Sequence, residues 1–503
     1  MTPPSGTATP TGGPAAARAL DALAQRMGEV ARALNVACDV DPSGVGALVE
    51  LNAAVARHGR RDWAWLVLTG LYGAMPRRSD VEEYLRIVEL LTPDEVALSL
   101  LARALPPHPW GQRLERRLEV VTRAVVADVD TCARTDRHTG IQRVVRESVP
   151  RWVRAHPEVL TLAWTDEAAG FRRLTALEQD RVLRWNEQVH VGRADDRDAD
   201  DVLVVPWESQ VLLPEVPAPQ HSASLAALAE FSGNRVSAIG YDAIPIVSAD
   251  IRPPHEPDNY VSYLSVIKHC AHVAGISVSA ALEFKGFAQM LPSQGLRGPE
   301  VSEVVLPGEA PKFESRADST DLPSVVCVGS QEVHKNHLAI LEAADVLWRE
   351  GERFSLSFVG GPGWDPREFE GRVAELQAEE RPVQICRGVS DEAMWHLYAS
   401  ARFTVFPSLH EGYGLPVAES LAFGTPVVTT AYGSMQEIAA AGGGCLLVDP
   451  RDDLSLADGM RRLLRDDDLL ERLRAEARSR PQRDWDRYAA EAWQALTEGT
   501  PAA

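Results

Sequence analysis

The feature that most constrains this chain is a rhythm that starts near residue 120 and then repeats. Short β-branched runs alternate with helical stretches, first AVVADV, VLTLAW, DVLVVP, RVSAIGYD, HVAGIS and SEVVLP. The second series is SVVCVG, FSLSFVGG, VQICRG, FTVFPS, PVVTT and CLLVDP. Apolar runs of this length, each followed by a loop or helix, read as parallel strands joined by crossover helices. Between the two series lies GEAPKFESRADSTDLP, residues 308–323, which is polar and rich in turn formers and reads as a linker. The expectation is an α/β chain with two Rossmann-like domains facing a cleft, 119–307 and 324–480. Ligands of such sheets bind beyond the carboxyl ends of the strands.

The chain before residue 119 is built differently. Leu20, Leu23, Met27, Val30 and Leu34 recur at spacings of three and four, one face of an amphipathic helix. Ser79 with Glu82, and Thr92-Pro93-Asp94-Glu95, mark further helix starts. Residues 15–118 therefore read as an additional N-terminal all-α module ending near Pro106-Pro107-His108-Pro109. A tail over 1–14, rich in Pro, Thr and Gly, is expected to be disordered. A last helix is expected over 481–498.

Composition narrows the function classes. Asp and Glu outnumber Lys and Arg by 72 to 51, a net charge of −21, so the protein as a whole repels a phosphate backbone and nucleic acid is not an expected partner. No apolar run reaches the roughly 18 residues of a transmembrane helix. The N-terminus has no basic-then-apolar signal pattern. The six cysteines are scattered without a CxxC pair, which reads as free thiols in a reducing compartment rather than a disulfide framework or zinc site. The expected location is the cytoplasm, with peripheral attachment to the inner face of the membrane compatible with it. His269 and His272 could share a helix face, but no further ligand cluster accompanies them and no metal is expected.

The most informative stretch is His410-Glu411-Gly412-Tyr413-Gly414-Leu415-Pro416-Val417-Ala418-Glu419-Ser420, which follows the run FTVFPS and opens a helix. Gly412 and Gly414 let the backbone turn tightly and approach a ligand. Pro416 sits near the helix start, where free amides can meet ligand oxygens. Glu411 on the loop and Glu419 about a turn into the helix can reach one site from different depths. Alone, either glutamate could be a solvated surface charge; the whole string has no such simple reading.

SLHEGYGLPVAESLAFGTPVV closely resembles the E-x7-E signature of the family-4 retaining glycosyltransferases, which have the GT-B fold. The resemblance implies that Glu419 hydrogen-bonds the nucleotide ribose, while Glu411 and the backbone of Gly412, Tyr413, Gly414 and Leu415 hold the donor sugar. Gly329-Ser330-Gln331-Glu332-Val333-His334-Lys335 resembles the family's glycine loop, whose lysine, here Lys335, neutralises the donor diphosphate. Many members carry arginine where this chain has Ser330, and another branch carries it where this chain has His334; Arg143 and Arg387 are candidate replacements. Arg387-Gly388-Val389 matches the segment that holds the nucleotide base, and Ser390 is a plausible helix N-cap. Glu437 matches a recurrent glutamate of the family, and Ser277 a serine that starts a helix.

In the first α/β block, Thr139-Gly140-Ile141-Gln142-Arg143 resembles the TGIQR element of a branch that includes cell-surface polysaccharide mannosyl- and rhamnosyltransferases. Its Thr139, Gly140 and Arg143 are expected on the acceptor side. The surrounding arginines, Arg146 among them, read equally as a solvated helix face. Gly240-Tyr241-Asp242-Ala243-Ile244-Pro245 resembles a strand end that places Asp242 near the acceptor or the anomeric centre. The Trp485 helix resembles the family's terminal crossover helix.

The resemblance thus implies a metal-independent hexosyltransferase with Glu411, Lys335 and Asp242 at the reaction centre. Its donor is a nucleotide diphosphate sugar and it needs no further cofactor. Its acceptor could be a glycan, a lipid-linked glycan, a protein or a natural product. The N-terminal helices are assigned to acceptor recognition or homo-oligomerisation. The rival readings are a non-catalytic scaffold that recruits a partner through those helices, and a nucleotide-sugar epimerase.

Overall fold

A computed structural model describes residues 14–38, 41–104, 114–189, 201–310 and 322–498. Residues 1–13 of the proposed tail (1–14) and 311–321 of the proposed linker (308–323) therefore lie outside the described residues. The chain divides into two compact units. The first holds the described residues up to Ala238 with Ser262–His272 and Leu291–Pro299; the second holds Ile239–Val261, Val273–Met290 and the chain from Glu300 onward. Among the described residues, no helix is long and apolar enough to cross a membrane.

The first unit begins with five helices, Pro14–Leu34, Val45–His58, Arg61–Tyr72, Arg78–Leu90 and Pro93–Ala104. The last starts at the Thr92-Pro93 signal, and Glu95 Oε2 accepts the Thr92 N–H at 2.9 Å. The fourth starts elsewhere than expected. Its N-cap residue is Arg77, whose N–H is accepted by Asp80 of the first turn at 2.8 Å, while Glu82 pairs with Arg78 along the helix surface. Ser79 lies inside the first turn, where it cannot cap.

The strands follow as β1 (Arg117–Thr122), β2 (Val125–Asp128), β3 (Leu160–Trp164), β4 (Phe171–Arg173), β5 (Val202–Trp207), β6 (Gln210–Leu213) and β7 (Arg235–Gly240). β1 pairs with β5 in parallel, apart from the main sheet. The main sheet runs β4-β3-β2-β6-β7, parallel except for the antiparallel edge strand β4. It continues through β8 (His272–Gly275) and β9 (Glu300–Glu303).

The second unit contains the clearest Rossmann sheet. Its strands are β10 (Ser324–Val328), β11 (Ser355–Val359), β12 (Val383–Cys386), β13 (Phe403–Phe406), β14 (Val427–Thr430) and β15 (Cys445–Val448). They are ordered β12-β11-β10-β13-β14-β15, and every pair is parallel. Counted from its own first strand this is the 3-2-1-4-5-6 order of a doubly wound fold. Val325, Phe358, Val405 and Val428 from the strands pack with Ile340 and Leu347 of the crossover helix His337–Arg349 and with Met460 and Leu463 of the helix Asp453–Arg465 that follows the last strand. Chain order reverses between β10 and β13, so the loops after these two strands border a topological switch point. The sequence places its two most informative segments, 329–335 and 407–414, on those loops.

Candidate active site

The loop after β10 turns at Gly329 and climbs through a short 3-10 turn, Val333–Lys335, into the helix His337–Arg349. A side chain at Gly329 would lie 3.1 Å from the Lys335 Cδ, so the glycine leaves room for the lysine to fold back over the strand end. The neighbouring β11 loop is packed as closely. A Cβ at Gly360 would fall 2.1 Å from the Gly329 carbonyl oxygen, which only glycine permits.

Lys335 Nζ meets Glu411 Oε1 at 2.6 Å, joining the β10 and β13 loops across the switch point. Ser408 donates to the same oxygen at 3.0 Å, and Phe406 offers its ring to the ammonium at 5.3 Å. Burial alone would raise the Glu411 carboxyl. Lys335, His334 and the hydrogen bonds from Lys335 and Ser408 overcome it and hold the group below its ordinary value. Glu411 is therefore an anion at neutral pH.

Gly414, at φ +101°, ends the loop and starts the helix Leu415–Ala422. Pro416 stands in the first turn, where its missing N–H costs nothing. Glu419 is buried inside this helix, and Tyr398 donates its hydroxyl to Oε2 at 3.0 Å. Tyr413 is buried, which pushes its phenol up to about 12.

Asp242 belongs to the same unit and packs on the β13 loop. A Cβ at Gly412 would stand 2.5 Å from the Tyr241 carbonyl oxygen and 3.2 Å from Asp242 Oδ2. Burial drives the Asp242 carboxyl up to about 6; Glu283 and Glu411 add to this, against the Ile244 N–H and His410. Glu283 ties the corner together, accepting the Ala243 N–H at 2.6 Å and meeting His410 Nε2 at 2.7 Å. Ser248 Oγ lies 2.9 Å from His410 Nδ1. Burial disfavours the His410 cation, but Glu283, Asp242 and Glu411 together raise its pKa above the ordinary value.

The structure thus brings Gly329, Lys335, Glu411, Gly412 and Asp242 together by direct contact. Ser330 donates to Glu332 at 2.9 Å on the same loop. Arg387 turns to Gln331, at 3.1 Å, and to Glu370. Gly388 takes φ +63°, and Val389 packs on the small apolar cluster of Val326, Val359 and Ala401. Ser390 caps the helix Asp391–Ser400 by accepting the Ala393 N–H.

Thr139, Gly140 and Arg143 lie in the first unit at the start of the helix Gly140–Ala155. There the Gln142 side chain accepts the Thr139 N–H at 3.2 Å, so this motif also caps its helix. Arg146 is not on a solvated face. It is buried, donates to the Arg137, Thr135 and Arg181 carbonyls, and lies 3.4 Å over the Trp185 ring.

Two residues expected near the site hold its walls. Glu437 accepts the N–H groups of Val278 and Ser279 at 2.9 and 2.6 Å, capping the helix Val278–Met290. Ser277 accepts the Ala280 N–H at 2.9 Å and donates to the Gly412 carbonyl at 2.5 Å. Reading the sequence alone missed Ser248, Arg252, Glu283 and Tyr398. Their site partners lie elsewhere in the chain: Ser248 and Glu283 meet His410, Arg252 meets Glu332, and Tyr398 meets Glu419.

The site thus joins a lysine–glutamate pair across the switch point to a second glutamate in the following helix. Residues 310–480 match the family of glycosyl transferases group 1. The O-antigen chain mannosyltransferase B of Escherichia coli is 33% identical over 141 residues, 28% of this chain and 36% of its own length. The D-inositol 3-phosphate glycosyltransferase of a Nocardioides species is 32% identical over 157 residues, 27% of this chain and 34% of its own. The chain thus spans about a third of the length of these two curated relatives. Among solved structures, HepE of Anabaena, determined with UDP and glucose, superposes with a TM-score of 0.53 at 12% identity, covering 75% of this chain and 100% of that one. At that identity the likeness shows the fold alone. The fold is GT-B, with parallel sheets in two Rossmann-like parts and an N-terminal helical region.

Proposed function

We propose that this protein is a retaining glycosyltransferase of family 4, in the branch with the TGIQR element. It moves a hexosyl unit from a nucleotide diphosphate sugar to an acceptor hydroxyl. The observation that carries the reading is the Lys335–Glu411 pair at the switch point of the second sheet, with Glu419 in the helix that follows.

In the proposed reaction the bond between the anomeric carbon and the donor phosphate oxygen breaks. The acceptor oxygen attacks the same face, and its proton passes to the departing phosphate. Lys335 and the amides at the starts of the two helices offset the growing negative charge. Glu411, freed from Lys335 when the diphosphate takes that cation, and the backbone of 412–415 hold the sugar. Glu419 holds the ribose, and Gly388-Val389 the base. Asp242 is assigned to the anomeric centre, and Thr139, Gly140 and Arg143 to acceptor binding. Charge compensation of this kind does not call for a metal ion, and turnover is expected to survive EDTA.

The test is a calorimetric screen of UDP-, GDP-, ADP- and dTDP-sugars, followed by an assay for slow donor hydrolysis. One of them is expected to bind and to release its nucleoside diphosphate. A protein that binds and hydrolyses none of them is not this enzyme.

A further inference from the structure

The β10 loop supplies one cation, Lys335, to a ligand that carries more than one negative charge. His334 does not add a second. Burial, then Lys335 and Arg252, push its imidazole down to about 4 against the pull of Glu411 and Glu332, and its Nδ1 lies 3.0 Å from Arg252 Nη1. Arg252 arrives from outside the loop, from the turn before the helix Glu256–Ile267, and belongs to the same compact unit. Its Nε and Nη2 grip the two oxygens of Glu256 at 2.6 and 2.9 Å, which fixes the plane of the guanidinium. That grip leaves Nη1 aimed at the loop, where it donates to Glu332 Oε2 at 2.5 Å.

The β10 loop therefore contributes one member to each of two cation–glutamate pairs: Lys335 to Glu411 of the β13 loop, and Glu332 to Arg252. In each pair the glutamate balances its cation while no anion is bound. Glu332 also has a second partner ready, since Ser330 already donates to its other oxygen.

We propose that Arg252 is the second cation for the donor diphosphate, held in reserve by Glu332 and aimed by Glu256. This rests on the glycosyltransferase reading above and assigns the cation that neither Ser330 nor His334 provides. On binding, the diphosphate replaces Glu332 on Nη1, and Glu332 stays with Ser330. A guanidinium whose other edge is fixed by a carboxylate presents its remaining donors with little further loss of freedom.

The experiment titrates UDP, GDP, ADP and dTDP into the wild-type chain by calorimetry. The tightest binder is then compared with its phosphate-free nucleoside in three variants. Arg252→Gln is expected to weaken the diphosphate about tenfold or more and to leave the nucleoside unchanged. Arg252→Lys recovers part of that loss. Glu332→Gln is expected to tighten the diphosphate, because it removes the competitor for Nη1; a purely structural Arg252–Glu332 bridge predicts the opposite sign. Diphosphate affinity within about twofold of wild type in Arg252→Gln overturns the proposal. So does weaker binding in Glu332→Gln, and that arm decides the matter if Arg252→Gln fails to fold. If wild type binds none of the four diphosphates, the glycosyltransferase reading falls as well, so the two failures are distinct.

Discussion

Glu411 and Asp242 show how two carboxyls packed on one loop are set to different charge states by what faces them. Glu411 has Lys335 against it and is held below its ordinary value; Asp242 has burial and two other carboxylates, and rises to about 6. The stability consequence of Asp242 has a definite sign. Between pH 4 and 6 the folded chain keeps a proton that the unfolded chain has released, so this residue's contribution falls as pH rises through that window and stays low above it. The full effect is at most about 3 kcal/mol. Asp242→Asn should therefore gain stability over wild type at pH 8 and gain little at pH 4, read from thermal unfolding. An equal difference at both pH values would contradict the buried-carboxyl account.

The two glutamates of the E-x7-E string separate by function in the same way. Under the proposed mechanism Glu419→Ala weakens nucleotide binding by about tenfold or more, since it removes a buried acceptor. Tyr398→Phe, which removes the hydroxyl that donates to Glu419 Oε2, weakens it less. Glu411→Ala mainly slows turnover, because it also releases Lys335 to the diphosphate. Equal nucleotide affinity in wild type and Glu419→Ala would remove the ribose assignment.

At the scale of elements, the site depends on close backbone approaches that no larger residue allows. Gly412→Ala places a methyl 2.5 Å from the Tyr241 carbonyl oxygen, a fixed backbone atom, so the β13 loop and the 241–242 strand end must part. The expected cost is about 1–3 kcal/mol, with loss of donor binding as the second readout. Glu437→Ala uncovers two amides at the start of the helix Val278–Met290 and should cost about 1 kcal/mol, as other N-cap losses do. Unchanged melting of either variant would show that the neighbouring segment yields at no cost.

Elements also explain what could be read from the sequence. The alternating runs that mark β10 to β15 lie next to their own crossover helices, and Gly412, Gly414, Pro416 and Glu419 lie within one turn-and-helix, so local spacing reveals both. Arg252 with Glu332, Glu283 with His410, and Ser248 with His410 are 80, 127 and 162 residues apart. Their meeting follows from the fold and leaves no trace in local pattern. Arg146 shows the converse error: its helical spacing is that of a surface residue, but the carbonyls of Cys132, Thr135 and Arg137 accept from it and turn a solvated charge into a buried anchor.

For the whole molecule, the N-terminal helices are joined to the first α/β part through the backbone itself. Gln25 donates to the Leu118 carbonyl at 2.7 Å and accepts the Leu118 N–H at 2.9 Å, so its amide pairs with β1 as a neighbouring strand would. Arg26 is buried and donates to the carbonyls of Gly70, Leu114 and Arg116 at 2.6, 2.8 and 2.6 Å. Burial, with the nearby Arg116, lowers its pKa to about 10, which still leaves it charged at neutral pH. Arg26→Met would strip all three carbonyls of their partner, at an expected cost of about 3 kcal/mol or more. The loss falls on the first unit, whereas Lys335, Glu411 and Glu419 all belong to the second. The variant should therefore melt earlier while nucleoside diphosphate affinity, measured well below that melt, stays at the wild-type value. Acceptor turnover is the informative third measurement. If it falls in step with unfolding, the helices act by holding the first unit together; if it falls in protein that is still fully folded, they take part in acceptor recognition. A variant that melts like wild type would show that the helical region is not anchored through Arg26 at all.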